Sequence, residues 1–150
     1  MTIRNLRYLF QPRSIAVIGR GKAAGGPDAV VEFNLIEGGF KGPVMPVNPD
    51  HRSISGVLAY QDIASLPVTP ELAILTTPLE EAPALISELG ARGTRAALLL
   101  SREVLQDHSG VRPALLSQDM QRKYPDQGEA LKQKILDAAK PYLLRLMGPD

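Results

Sequence analysis

Five short apolar runs, Ile15–Ile18, Val44–Val47, Leu72–Leu75, Ala96–Leu100 and Leu144–Met147, recur between stretches of helical pattern. Most are apolar at every position rather than at alternate ones, so both faces of each strand must be covered. Parallel strands need a long crossover between them, usually a helix, and the spacers here leave room for one. The pattern predicts an α/β fold: a doubly wound parallel sheet of about five strands in three layers, with the Ile15–Ile18 strand central. A chain of 150 residues is one such domain, large enough to bury a core.

The spacers supply the helices. Leu6, Leu9 and Phe10 share one helical face that Pro12 ends. Ala29–Glu37 reads as a buried helix starting near Pro27, with Gly38–Gly39 as its left-handed cap. Asp62–Leu66 predicts one helical turn stopped by Pro67. Thr77-Pro78-Leu79-Glu80 has the form of a capping box, followed by a regular helix from Pro83 to Leu89 closed by Gly90. Leu131, Ile135, Ala138 and Tyr142 form the buried stripe of a last helix. Residues 102–126 are polar and irregular, with turns at 107–110 and 124–126, and predict an exposed excursion.

Several classes of function are disfavoured by composition. A net charge of +1 gives no electrostatic case for nucleic acid or an anionic membrane. Without cysteine there is neither a disulfide framework nor a thiolate metal site, and no apolar run approaches the length of a membrane span. The first residues lack the apolar core of a signal peptide, so the expected location is cytoplasmic. No grouping of His, Asp and Glu has metal-ligand spacing, and no serine sits in a nucleophile elbow. His51 and His108 read as surface loop residues, and no side chain is expected to be catalytic in this stretch.

In open α/β sheets ligands bind beyond the carboxyl ends of the strands, where strand order reverses. The loops to search are therefore residues 19–27, 48–52, 76–80, Ser101 onward and 148–150. The first, Gly19 to Pro27, runs from a strand through glycines into a helix, the arrangement that holds phosphate. Two phasings compete. Gly19, Gly21 and Ala24 fit G-x-G-x-x-A, and Asp50 after the second strand offers an acceptor for an NAD ribose. Pro27, however, places the helix start beyond that motif. The second phasing, Gly19 with Gly25 and Gly26 at the helix entrance, presents backbone N–H groups and the positive helix end. The alternative is that these glycines only turn the chain. Arg20, Lys22 and Arg52 are cations able to meet a pyrophosphate or to stay solvated. Asn48 and Thr77 shape a turn and cap a helix, or touch the ligand.

The stretches LFQPRSIAVIG (9–19), NLIEGGFKGPV (34–44) with Val47-Asn48-Pro49, and LGARGTRAA (89–97) resemble a known family. It is the CoA-binding domain of NDP-forming acyl-CoA synthetases, of the succinyl-CoA synthetase alpha subunit and of bacterial GNAT-type protein lysine acetyltransferases. The likeness covers nearly the whole chain. It implies a Rossmann-like domain that binds CoA or acetyl-CoA through Gly19, Arg20, Gly21, Lys22, Gly25, Gly26, Asn48, Pro49, Arg52, Thr77, Pro78 and Ser101. Residues 56–75 are similar to the acetyltransferase branch, which makes a regulatory N-terminal part of such an enzyme the leading expectation. The alternatives are the same domain of an NDP-forming acyl-CoA synthetase, a structural module that has lost CoA, and an NAD-binding domain. The run at 144–149 resembles the family's lead into its next domain, so further domains of a longer chain are expected partners, and self-association is left open.

Departures from the family cluster at the expected ligand. Gly21 stands for a serine, Asp28 for a third glycine, Asp50 for a lysine, residues 102–104 for an Ala-Gly-Phe run, and Asp150 for an asparagine. Asp28 reads as a first-turn carboxylate stabilising its own helix. If Asp28 and Asp50 faced phosphates at about 5 Å, each repulsion would cost roughly 3 kcal/mol at an effective dielectric near 20. Weak CoA binding is therefore expected.

Overall fold

A computed structural model of the chain describes residues 3–20, 27–100 and 125–148. Five strands form one parallel sheet: β1 (Ile15–Ile18), β2 (Val44–Val47), β5 (Leu72–Leu75), β6 (Ala96–Leu99) and β7 (Arg145–Met147). Their spatial order is β2-β1-β5-β6-β7, so β5 is central and β1 lies beside it, correcting the expectation that β1 is the middle strand. In-register pairing sets Ile15 against Val44 on one side and Leu72 on the other. Pro46 is tolerated because β2 lies at the end of the sheet.

Helices cover both faces, as the uniformly apolar strands require. On one side Ala16, Ile18, Ala73, Leu75, Ala97 and Leu99 pack against α3 (Ala82–Arg92) and α4 (Pro125–Ala139) through Ile86, Leu89 and Ile135. On the other, Ile15, Val17, Leu72 and Ile74 meet α1 (Leu6–Phe10) and α2 (Pro27–Glu37) through Leu9, Val31 and Leu35. Alternate residues of each strand thus supply two separate cores.

Local signals place most boundaries. α2 begins at Pro27 and ends where Gly39 turns left-handed, at φ +81°, with Phe40 N–H donating back to Leu35 O at 3.1 Å. The capping box at Thr77 does not form. A 3₁₀ turn, Leu79–Glu81, starts at Pro78 without a side-chain cap, because Pro83 denies the first turn its ordinary donor. α3 then runs on through Gly90 to Arg92, where Gly93, at φ +105°, closes it. Gly90 is a packing residue instead: a Cβ there would lie 2.3 Å from the ring of Tyr142. Tyr142 itself lies in a 3₁₀ turn, Lys140–Tyr142, after α4 has ended.

Asp62–Leu66 is a non-helical turn held by its Asp62 carboxylate, which accepts from Ser65 N–H at 2.7 Å. The Arg92 guanidinium donates to the carbonyls of Ile63, Ala64 and Leu66 and ties this turn to the end of α3. Pro125 and Asp126 open α4 rather than forming a turn. The rest of the expected excursion at 102–124 lies outside the described residues.

A two-stranded antiparallel hairpin that the sequence reading missed, β3 (Ser53–Ile54) and β4 (Val57–Leu58), follows β2. Its turn residues Ser55 and Gly56 both have positive φ, 49° and 82°, the tight-hairpin geometry. Ile54 and Ala59 from this hairpin pack on Ala29 at the start of α2.

Candidate functional site

Strand order reverses between β1 and β5, so the carboxyl ends of these two strands open onto a crevice. A cleft of about 170 Å³ lies there, lined by Ile18, Gly19 and Arg20 after β1, Val47 and Pro49 from β2, and Thr77 after β5, with Glu81, Leu85 and Glu88 from the α3 side. Gln61, Asp62 and Ile63 complete its wall.

Gly19 is irreplaceable here for a steric reason. A Cβ would lie 2.6 Å from Thr76 Oγ1 and 2.8 Å from Asp28 Cβ, because strand end, neighbouring strand and helix entrance converge on this position. The Thr76 hydroxyl donates to Ile18 O at 3.2 Å and is satisfied. Thr77 is different: the residue lines the cleft, and its Oγ1 is buried and has no hydrogen-bond partner among the described residues. A buried hydroxyl without a partner costs about 1–3 kcal/mol, which a bound polar group would recover.

Of the sequence-predicted residues, the cleft brings together Gly19, Arg20, Pro49 and Thr77. Asn48 is fully buried behind them. Its Oδ1 accepts from Asp50 N–H at 2.9 Å, as a turn former does, and its Nδ2 donates to Asp28 Oδ2 at 3.4 Å. Arg52 is exposed at the foot of the hairpin and Pro78 is exposed at the head of the 3₁₀ turn, so neither lines the cleft. Gly21, Lys22, Gly25, Gly26 and Ser101 lie outside the described residues. Asp50 is exposed and away from the cleft lining, which leaves the NAD reading without its ribose acceptor there.

Asp28 corrects the expectation most sharply. It is 1% exposed, turned under Gly19 and bonded to Asn48, so it does not stand in the cleft as a carboxylate facing phosphate. One turn further along the same face, Glu32 is 0% exposed and neither of its carboxylate oxygens has a partner among the described residues. Burial, with added repulsion from Asp28, pushes the Glu32 carboxyl from its ordinary 4.5 up to about 8. The sequence reading passed over Glu32; its signal was a charge inside the run Val30–Phe33. The outer face of the helix compensates in the opposite sense, with Phe33 57% exposed.

The charges around the cleft are mixed. Arg20 Nε lies 3.2 Å from a Glu81 carboxylate oxygen, and Asp62 and Glu88 line the same wall. The hydroxyl of Ser65, and then its N–H, hold the Asp62 carboxyl below its ordinary range. Among the described residues no grouping of His, Asp and Glu suits a metal ion, and no helix is long and apolar enough to cross a membrane.

A parallel sheet with this strand order, a glycine at the end of β1 and a cleft at the reversal defines a doubly wound domain built to hold a nucleotide-like ligand. More specifically, the chain belongs to the CoA binding domain family, whose profile matches residues 13–150. The expected ligand, CoA, is the one by which that family is described. The chain is 28% identical over 149 residues to ADP-forming acetate–CoA ligase II of Archaeoglobus fulgidus, a match spanning 99% of this chain and 20% of that protein. It is 26% identical over 150 residues to the alpha subunit of ADP-forming acetate–CoA ligase I of Pyrococcus furiosus, spanning 97% of this chain and 29% of the subunit. Among solved structures, the apo dinucleotide-forming acetyl-coenzyme A synthetase 1 of Ca. Korarchaeum cryptofilum superposes with a TM-score of 0.74 at 26% identity, over 96% of this chain and 27% of that one. The chain therefore spans less than a third of the length of these relatives.

Proposed function

We propose that this chain is the CoA-binding domain of an NDP-forming acyl-CoA synthetase, binding CoA or an acyl-CoA while other domains supply the chemistry. The carrying observation is the cleft at the reversal of strand order, lined by Gly19 and by Thr77, whose buried hydroxyl lacks a partner among the described residues. The relatives by name are ligases and favour this reading over the acetyltransferase, which nothing in the comparisons supports.

In this reading the N–H groups at the entrance of α2 and the Gly19, Gly21, Gly25 and Gly26 backbone take the pyrophosphate, with Arg20 and Lys22 as counter-charges. Asn48, with Pro49, shapes the β2 end, and Thr77 and Pro78 the β5 end. Ser101 is a further contact to the ligand in this reading, and Arg52 serves as a peripheral cation. Asp62 and Glu88 suit the amide and amino donors of CoA rather than its phosphates, whereas Glu81 holds Arg20. CoA supplies a thiol for acyl transfer; the residues here bind and orient it.

Calorimetry with CoA, acetyl-CoA and NAD tests the proposal. Measurable binding of CoA or acetyl-CoA, weakened by Thr77→Val, is the expected outcome. Tighter binding of NAD, or no binding of any of the three, would overturn it.

A further inference from the structure

The group that the CoA-binding role leaves unexplained is the buried acid pair on α2. Asp28 and Glu32 sit one turn apart on one face, both essentially inaccessible, and three of their four carboxylate oxygens have no hydrogen-bond partner among the described residues. The pair is joined to the ligand cleft by two contacts. Asp28 packs under Gly19, which lines the cleft, and accepts from Asn48, which holds the loop leading to Pro49. Glu32 lies five residues from the start of the helix, about 8 Å along the axis at 1.5 Å per residue. A phosphate at that helix entrance would be within range of a charge on Glu32 and poorly shielded from it.

Among the described residues no cation is paired with Glu32. β1 and β2, against which α2 packs, carry no titratable residue. On the connection after β2 stand Asp50, His51 and Arg52, and on the hairpin face α2 meets Ile54 and Ala59. Asp28 is the charged neighbour that acts on Glu32, and it acts by repulsion. An unpaired buried carboxylate in this place is held by its proton.

We propose that Glu32 is a proton-bearing positioning residue for the ligand site, so that binding of the CoA pyrophosphate is linked to fractional uptake of a proton on its carboxyl. The inference rests on the CoA-binding reading above. When Glu32 is neutral, Asp28 in the first turn is the acid that opposes the positive end of α2, and the Asp28–Asn48 contact keeps its shape. When Glu32 is ionised, its charge opposes both the phosphates and Asp28, and affinity falls. Coulomb interaction across about 8 Å, at dielectrics between protein surface and water, corresponds to a loss of about threefold to tenfold in affinity.

The test is acetyl-CoA binding by calorimetry between pH 7 and pH 9.5, where the phosphates no longer titrate, repeated in two buffers of different ionisation heat. The natural chain should lose affinity threefold or more across this range and take up about half a proton on binding near pH 8. Glu32→Gln should bind with a flat profile and no uptake attributable to this site; Glu32→Leu serves as a second variant should Gln disturb the fold. Binding whose pH profile is the same in the natural chain and both variants would overturn the role of Glu32 while leaving the CoA-binding reading intact. Absence of binding at every pH would overturn both.

Discussion

Replacing Glu32 by glutamine should make the domain more stable, and more so as the solution becomes more alkaline. In the folded chain Glu32 keeps its proton up to about pH 8, whereas in the unfolded chain it releases it near 4.5. Between these values the folded state binds one more proton than the unfolded state, so stability falls as pH rises. The contribution is complete below 4.5 and lost above about 8. At about 1.4 kcal/mol per pH unit over that interval, the loss is about 5 kcal/mol as an upper bound, since water entry relaxes part of it. Against a total stability of about 5–15 kcal/mol this is a large share. Glutamine has nearly the same shape and no charge to desolvate. Urea unfolding followed by circular dichroism at pH 5, 7 and 9 measures the difference. The natural chain should lose several kcal/mol relative to Glu32→Gln between pH 5 and pH 9. Parallel stability curves for the two proteins would show that Glu32 is hydrated or paired, and would refute the burial argument.

Two further perturbations probe the cleft and the packing beside it. Glu81→Gln removes the partner of Arg20 and one of the acids in the cleft wall, so acetyl-CoA affinity should rise about threefold at low salt, with the gain shrinking at high ionic strength. A calorimetric titration at two salt concentrations decides it, and unchanged affinity at low salt would mean that Arg20 does not reach the ligand. Gly90→Ala should destabilise by about 1–3 kcal/mol because its methyl would meet the Tyr142 ring, and Tyr142→Ala in the same chain should restore most of the loss; thermal unfolding of the single and double variants reads this out.

Much of the architecture was legible in local chemistry. The apolar runs at 15–18, 44–47 and 72–75 became strands with those bounds, and Pro27 and Gly39 set the ends of α2. These features depend on residues close in sequence: a run apolar on both sides, a proline that fits a first turn, a glycine that can turn left-handed. Gly93 rather than Gly90 ended α3 because the choice between them belongs to distant groups. Gly90 is needed where Tyr142 crosses, while Gly93 has only an ordinary contact with Thr69 and carries the positive φ. The hairpin at 53–58 was missed because each strand is two residues long, too short for any periodicity.

The sequence by itself determined the class of fold, the strand runs and the loops that border the cleft, since strand and helix periodicity and turn chemistry act over a few residues. It also carried the motifs that mark the CoA-binding family. Only the tertiary structure decided the strand order and the surroundings of α2. On composition the helix reads as apolar and inward-facing, yet Asp28 and Glu32 are buried while Phe33 is largely exposed. Which face of a helix turns inward is set by what the sheet, the Ile54–Ala59 hairpin and Asn48 present to it, and those groups come from elsewhere in the chain. The same assembly turned Asp28 from an expected obstacle to phosphate into a buried partner of Asn48, because β1, β5 and α2 meet at Gly19 and the Asp28 side chain packs against it there.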